Sequence, residues 1–328
     1  MRRDNRGKTA FTIFIASIAA IAFISLFAFD SILSNASTAS TNVIASATVN
    51  SVCIMSISNT AIDFGLVSPT VSTATSNIVA IIDTGGNAPA NVLVAGGNWI
   101  FGSNSFYVAN TLWNPTSASA GVGNALALYT GLTSLVDTFI QVPAPTLSVP
   151  TTYNNIYFGV GIPGGTPAGI YTQNIVYGYN CGAGAVPIAT NTVATVNVPS
   201  TCFIGVSANT INFGTINPGA NVPTDKQITV QDPGGNIAAN ILVDGGNWIS
   251  GSNNFGVANT LWDTSNDVTY IGNALKLAPG GLTDTMLQTP APTQSNPTTS
   301  NNIYFGLGIP AGAVAGAYTQ NIIIENSC

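Results

Sequence analysis

The sequence predicts an all-β protein: two tandem β-sandwich domains, Ig-like or jelly-roll in kind, behind an N-terminal hydrophobic helix. Three observations carry this. The chain repeats itself, with Trp99 and Trp113 returning as Trp248 and Trp262, an offset of 149 in each case. From residue 37 onward, short runs rich in Val, Ile, Thr, Tyr and Phe alternate with turn residues. The chain's 34 glycines and 18 prolines break any sustained 3.6-residue apolar period. Only Phe11–Phe29 is an uninterrupted uncharged apolar run of membrane-spanning length, 19 residues.

That run follows Arg2, Arg3, Arg6 and Lys8 and ends at Asp30. Basic, apolar and then small residues succeed one another as in a secretory signal, with Ser34 and Ala36 at the −3 and −1 positions of a cut after Ala36. A retained anchor is the rival reading, and the positive flank then places the N-terminus in the cytoplasm. A pilin-type leader cut near Gly7 fits less well, because a Ser/Thr-rich segment stands where a long helix would continue. Residues 1–36 are thus a signal peptide or a membrane anchor, and the membrane is met only through residues 11–29 if they are uncleaved. In either case residues 37–328 lie outside the cytoplasm, at the cell surface or beyond. Asn35-Ala36-Ser37 is a glycosylation sequon that the cut after Ala36 would remove.

The duplication sets the organisation. Gly96–Ile100 returns at Gly245–Ile249, Val108–Trp113 at Val257–Trp262, and Gly123–Leu126 at Gly272–Leu275. Asn154–Gly159 and Tyr171–Ile175 return at Asn301–Gly306 and Tyr318–Ile322, now at an offset of 147, so the second copy is two residues shorter near positions 129–135 of the first. The expected layout is a strand segment at 37–50, repeat 1 at 51–182, a linker and strand at 183–200, and repeat 2 at 201–328. Asp83-Thr-Gly-Gly-Asn87 and Asp232-Pro-Gly-Gly-Asn236 read as one recurrent turn, Asp accepting from backbone N–H groups and Gly allowing positive φ. A calcium site there would need more oxygen donors than the sparse carboxylates supply. Asp137 and Asp284 read as strand-end hydrogen-bond acceptors.

Composition narrows the function. Beyond Ala36 there are ten acids against Lys226 and Lys276, a net charge of −8, with no Arg and no His. No cationic footprint is available for nucleic acid. His-based triads and His-ligated zinc are excluded, and Glu occurs once, at Glu325, which excludes a Glu/Glu acid–base pair. Its glycine-rich turns belong to no βαβ unit that would cradle phosphate. Neither enzyme, cofactor nor metal is expected.

Four cysteines allow three pairings. Cys53 and Cys181 bracket the first copy and Cys202 and Cys328 the second, so the duplication favours Cys53–Cys181 and Cys202–Cys328, one staple per copy. Reduced thiols are the alternative. No pair has the short spacing of a metal knuckle.

Each staple leaves a strand outside it. Val43, Ala45, Ala47 and Val49 alternate with Ile44, Ser46 and Thr48 ahead of Cys53; Ala194, Val196 and Val198 alternate with Thr195 and Asn197 ahead of Cys202. Two readings stand. Either each strand opens its own domain, or residues 192–198 complete the first domain. On the second reading repeat 2 ends at Cys328 without such a strand, and Val43–Val49 of another molecule fills the gap.

The spacing Cys53-x₈-Ile62-Asp-Phe-Gly65 with Pro69, and Cys202-x₈-Ile211-Asn-Phe-Gly214 with Pro218, resembles the opening strand of spore-coat-U and Csu-type pilin domains. Ile162-Pro-Gly-Gly…Ala168-Gly-Ile-Tyr-Thr172 and Ile309-Pro-Ala-Gly…Ala315-Gly-Ala-Tyr-Thr319 resemble their closing strand. Secreted archaeal β-sandwich proteins that build surface threads are similar in general character. The resemblance implies an extracellular structural subunit of a filament or surface layer, joined head to tail by donor strands. The competing expectation is a membrane-anchored monomeric adhesin that binds surface glycans, with Trp99 and Trp248 stacking on sugar rings; a core role for both indoles is the plainer reading.

Overall fold

The computed structural model describes residues 45–181, 188–278 and 281–328. The expected N-terminal helix and Val43 lie outside the described residues. Residues 1–50 form one unit and residues 51–328 another. Within the first, residues 45–50 carry no regular secondary structure and are exposed. The second is all β, and among the described residues no helix is long and apolar enough to cross a membrane.

Each copy contributes a five-stranded sheet of the same order. In the first copy it runs Met55–Ile57, Asn77–Asp83, Thr152–Val160, Thr111–Asn114, Asn124–Ala125. In the second it runs Gly205–Val206, Asn221–Pro233, Thr298–Gly308, Thr260–Asp263, Asn273–Ala274. Alternation explains these strands: Val79 and Ile81 point inward with Ile156 and Phe158, as Ile228 and Val230 do with Ile303 and Phe305, all essentially buried.

The facing sheets differ. The first copy has Ala61–Leu66, Ile188–Val198, Gly169–Asn180, Ala90–Gly96 and Val136–Val142 in that order, with a short hairpin, Trp99–Phe101 and Asn104–Phe106, attached. The second keeps only Thr283–Thr289, Ala239–Gly245 and Ile322–Ser327, with the matching hairpin, Trp248–Ser250 and Asn253–Phe255, apart from it. Strand Ile188–Val198 therefore belongs to the first copy. It runs antiparallel to Gly169–Asn180, from Gly169↔Val198 to Tyr179↔Ile188, and parallel to Ala61–Leu66.

Disulfides join Cys53 to Cys181 and Cys202 to Cys328, with Cα–Cα distances of 6.0 and 6.2 Å. The Asp turns are built as hydrogen-bonded corners. Asp83 Oδ1 accepts from Gly86 N at 2.8 Å and Ile54 N at 3.2 Å; Asp232 Oδ1 accepts from Gly235 N at 2.8 Å and Phe203 N at 3.1 Å. Asp137 and Asp284 accept from the N–H groups of Phe139 and Met286, each at 2.8 Å.

Candidate functional site

The two copies share an aromatic row, and it starts from sequence. In the first, the Trp99 ring stacks on Phe106 at 5.5 Å, Phe64 meets it edge-on at 5.9 Å, and Phe106 tilts against Tyr171 at 5.1 Å. In the second, Trp248, Phe255, Phe213 and Tyr318 repeat this at 5.7, 5.9 and 5.0 Å. A polar chain pins each indole. Trp99 Nε1 donates to Thr111 Oγ1, whose hydroxyl donates to Gln173 Oε1, both at 2.8 Å; Trp248, Thr260 and Gln320 form the same chain at the same distances.

What lies over the row differs. Strand Ile188–Val198 covers it in the first copy, with Ala194, Val196 and Val198 all buried to 1 % exposure or less. Nothing among the described residues takes that place in the second. There a groove of about 610 Å³ opens over Ile211, Phe213, Trp248, Phe255 and Tyr318. Ile211, Phe213, Trp248 and Tyr318 also line a cavity of about 480 Å³ that runs toward Ile322 and Ile324. The two cavities share these four residues and form one trough with an aromatic and aliphatic floor between polar walls.

The rims of the trough are two segments whose counterparts in the first copy are paired strands. Tyr171 and Gln173 sit opposite Val196 and Ala194 in the first copy. Their counterparts Tyr318 and Gln320 have no backbone hydrogen-bond partner among the described residues, although Thr319 between them bonds Ile249 on the other side, at 2.9 and 3.0 Å. On the far rim, Ala61–Leu66 is a strand because residues 193–197 pair with it; the matching Thr210–Thr215 forms none. Gly214 still takes φ 77°, as Gly65 takes 70°, and each donates to the side chain two residues back, Asn212 at 2.8 Å and Asp63 at 2.9 Å. Such a trough offers two hydrogen-bonding edges and an apolar floor, which is the chemistry that takes up an extended strand.

The sequence-expected residues separate accordingly. Ala45, Ala47 and Val49 are exposed and unstructured, Val49 at 78 %. Trp99 has no exposed surface, so the sugar-stacking expectation for it is corrected: its ring faces are taken by the core. Trp248, at 7 % exposure, is floor of the trough rather than a projecting platform. Gln320 and Tyr318, rim residues of the trough, were not singled out from sequence as site residues; their identity with Gln173 and Tyr171 is the signal that marks them. Among the described residues no group of acidic or thiol side chains is disposed to hold a metal ion.

No protein-family model matches the chain, and no curated protein matches it. Among solved structures it is similar to the chaperone–tip adhesion subunit pre-assembly complex of archaic chaperone-usher Csu pili of Acinetobacter baumannii, at 10 % identity and a TM-score of 0.39, over 84 % of this chain and 100 % of that one. A Salmonella enterica SafA pilin in complex with the SafB chaperone matches at 9 % identity and a TM-score of 0.25, over 83 % and 98 %. A family 123 glycoside hydrolase from Clostridium perfringens matches at 11 % and 0.28, over 45 % of this chain and 27 % of that one. Likeness at this level bears on neither function nor partner.

Proposed function

We propose that the protein is an extracellular structural subunit that polymerises head to tail, the second copy of each chain accepting residues 43–49 of the next. One observation carries this reading: the trough in the second copy occupies the place that Ile188–Val198 fills in the first. By the repeat, Ala45, Ala47 and Val49 correspond to Ala194, Val196 and Val198, the three side chains buried there. Val43 corresponds to Thr192, also buried. The aromatic floor and the Gln320 chain already hold the geometry of the filled copy, so insertion requires little rearrangement. A donor on one face and an acceptor on another make a heterologous contact, which builds an open filament wherever its rotation does not close a ring.

Two disulfides fit an oxidising, extracytoplasmic setting, and the weakly charged exterior suits lateral packing, with few ions to desolvate. Size-exclusion chromatography and negative-stain microscopy of the exported chain lacking residues 37–50 test the reading. Loss of long assemblies is expected; threads of unchanged length would overturn it.

A further inference from the structure

The two copies within one chain meet through the loops at 163–166, 234–236 and 293–296, together with Ser105 of the hairpin and Pro199 of the connector. Gly165 N donates to Gly235 O at 3.0 Å; Asn236 Nδ2 donates to Thr166 O at 2.9 Å and Pro199 O at 2.8 Å; Gln294 Nε2 donates to Ser105 O at 2.9 Å and approaches Thr166 Oγ1 at 3.5 Å. We propose that the far end of the second copy is a docking face for the first copy of another molecule, and that this contact reproduces the internal junction. The proposal rests on the head-to-tail reading and adds the geometry of the contact.

Chain length makes the first case. Three residues, Pro199-Ser200-Thr201, join Val198 to Cys202; three, Asn50-Ser51-Val52, join Val49 to Cys53. A strand seated in the trough as Ile188–Val198 is seated in the first copy brings its own domain to the corresponding place. The loops that would meet are already formed. Thr146 and Val149 exchange backbone bonds at 2.9 and 3.1 Å, as Thr293 and Asn296 do at 3.0 Å. Ala313 N donates to Pro310 O at 3.2 Å, as Thr166 N does to Pro163 O at 3.3 Å. Gly219 N donates to Ile309 O at 2.8 Å, as Thr70 N does to Ile162 O at 2.7 Å.

Two compensating exchanges make the second case. At the internal junction Gln294 lies beside Thr166, a polar pair; their counterparts are Leu147 and Ala313, an apolar pair. Leu147 is fully exposed, at 107 % of its reference area, and so is free to meet a second surface. The second exchange concerns volume. Gly164 leaves a Cβ only tight space, 3.1 Å from Gly234 Cα across the junction and 3.3 Å from Thr70 Cγ2 within its own copy. The equivalent pair is Ala311 and Gly219, so the methyl group added at one loop is matched by the side chain removed from the other. The first exchange conserves the character of a contact that only a second molecule can complete; the second is made within one copy and leaves the end loops of the second copy fitted to each other, as Gly219 and Ala311 already face one another there.

The test uses the full chain carrying Leu147→Cys and Ala313→Cys, its four native cysteines being paired, assembled and treated with a short bismaleimide. A parallel chain carries Ser46→Cys and Thr319→Cys, whose counterparts Thr195 and Thr172 face each other across the filled sheet. We expect each double variant to give a ladder of covalently joined chains on denaturing gels, and single variants to give none. A ladder from the 46/319 pair without one from the 147/313 pair would overturn the proposed junction and leave strand donation standing. No ladder from either would overturn both.

Discussion

Tyr171, Ile175 and Tyr177 have no exposed surface in the first copy; their counterparts Tyr318, Ile322 and Ile324 are half-buried in the second. In the first copy Trp99, Phe106 and Val160 belong to the same buried cluster as Trp113 and Phe158, whereas in the second Trp248, Phe255 and Leu307 separate from the cluster around Trp262 and Phe305. The residue types are nearly the same, so composition is not the cause. One strand of 11 residues is the difference, and it unites the two halves of a sandwich core. A copy that lacks it remains folded around its aromatic row but keeps an open seam.

The sharpest way to break this comparison is to place one charge at the same repeat position in each strand. Val196→Asp buries a carboxylate in the completed core, and should destabilise the first copy by roughly 4 kcal/mol or more. Ala47→Asp places it on an exposed segment of the monomer, so thermal unfolding of the unassembled chain should be unchanged while assembly is lost. Calorimetry with sedimentation separates the two. Equal destabilisation by both would mean that residues 43–49 already pack within their own chain.

A gain rather than a loss sharpens it next. A peptide spanning residues 42–50, added to the chain lacking 37–50, should stabilise the second copy alone. At one hundred times its dissociation constant the gain is about 2.7 kcal/mol, or roughly 8–10 °C in melting temperature for a domain of this size. Hydrogen exchange at Tyr318 and Gln320 should slow at the same time, because the peptide supplies the missing backbone partners. A uniform shift across both copies would count against a specific seat in the trough.

Much of the fold is legible in the residues: the Trp99/Trp248 offset gives two copies, and inward alternation at Val79, Ile81, Ile156 and Phe158 gives strands. Ownership of Ile188–Val198 is not. Alternation reveals that Ala194, Val196 and Val198 bury one face, but a period of two carries no information about which domain receives it. Indole exposure is equally hidden, since the Asn and Thr around Trp99 suit a sugar platform and a hydrogen-bonded core alike; Thr111 and Gln173 decide it through contacts distant in sequence. The exchange of Gln294 and Thr166 for Leu147 and Ala313 is visible in the letters, yet without the loops' positions nothing links those residues.

The smallest expected difference is in alkaline stability. Tyr177 and Tyr179 lie in the core of the first copy, where burial pushes both phenols above their ordinary 10.0. Nearby Tyr179 adds to the shift at Tyr177. The second copy has Ile324 and Asn326 at these positions, leaving Tyr270, raised by burial but only partly enclosed, as its main buried phenol. A group whose pKa is raised by folding contributes its full stabilisation below the unfolded value and loses it as the pH climbs toward the folded one. Stability of the first copy should therefore be level below pH 10 and fall above it, by at most about 1.4 kcal/mol per pH unit for each fully buried phenol. Tyr177→Phe should flatten that fall by up to half. Intrinsic tyrosinate absorbance recorded beside unfolding would check it: phenols that ionise near pH 10 in the folded chain would show that strand Ile188–Val198 does not seal this face from water.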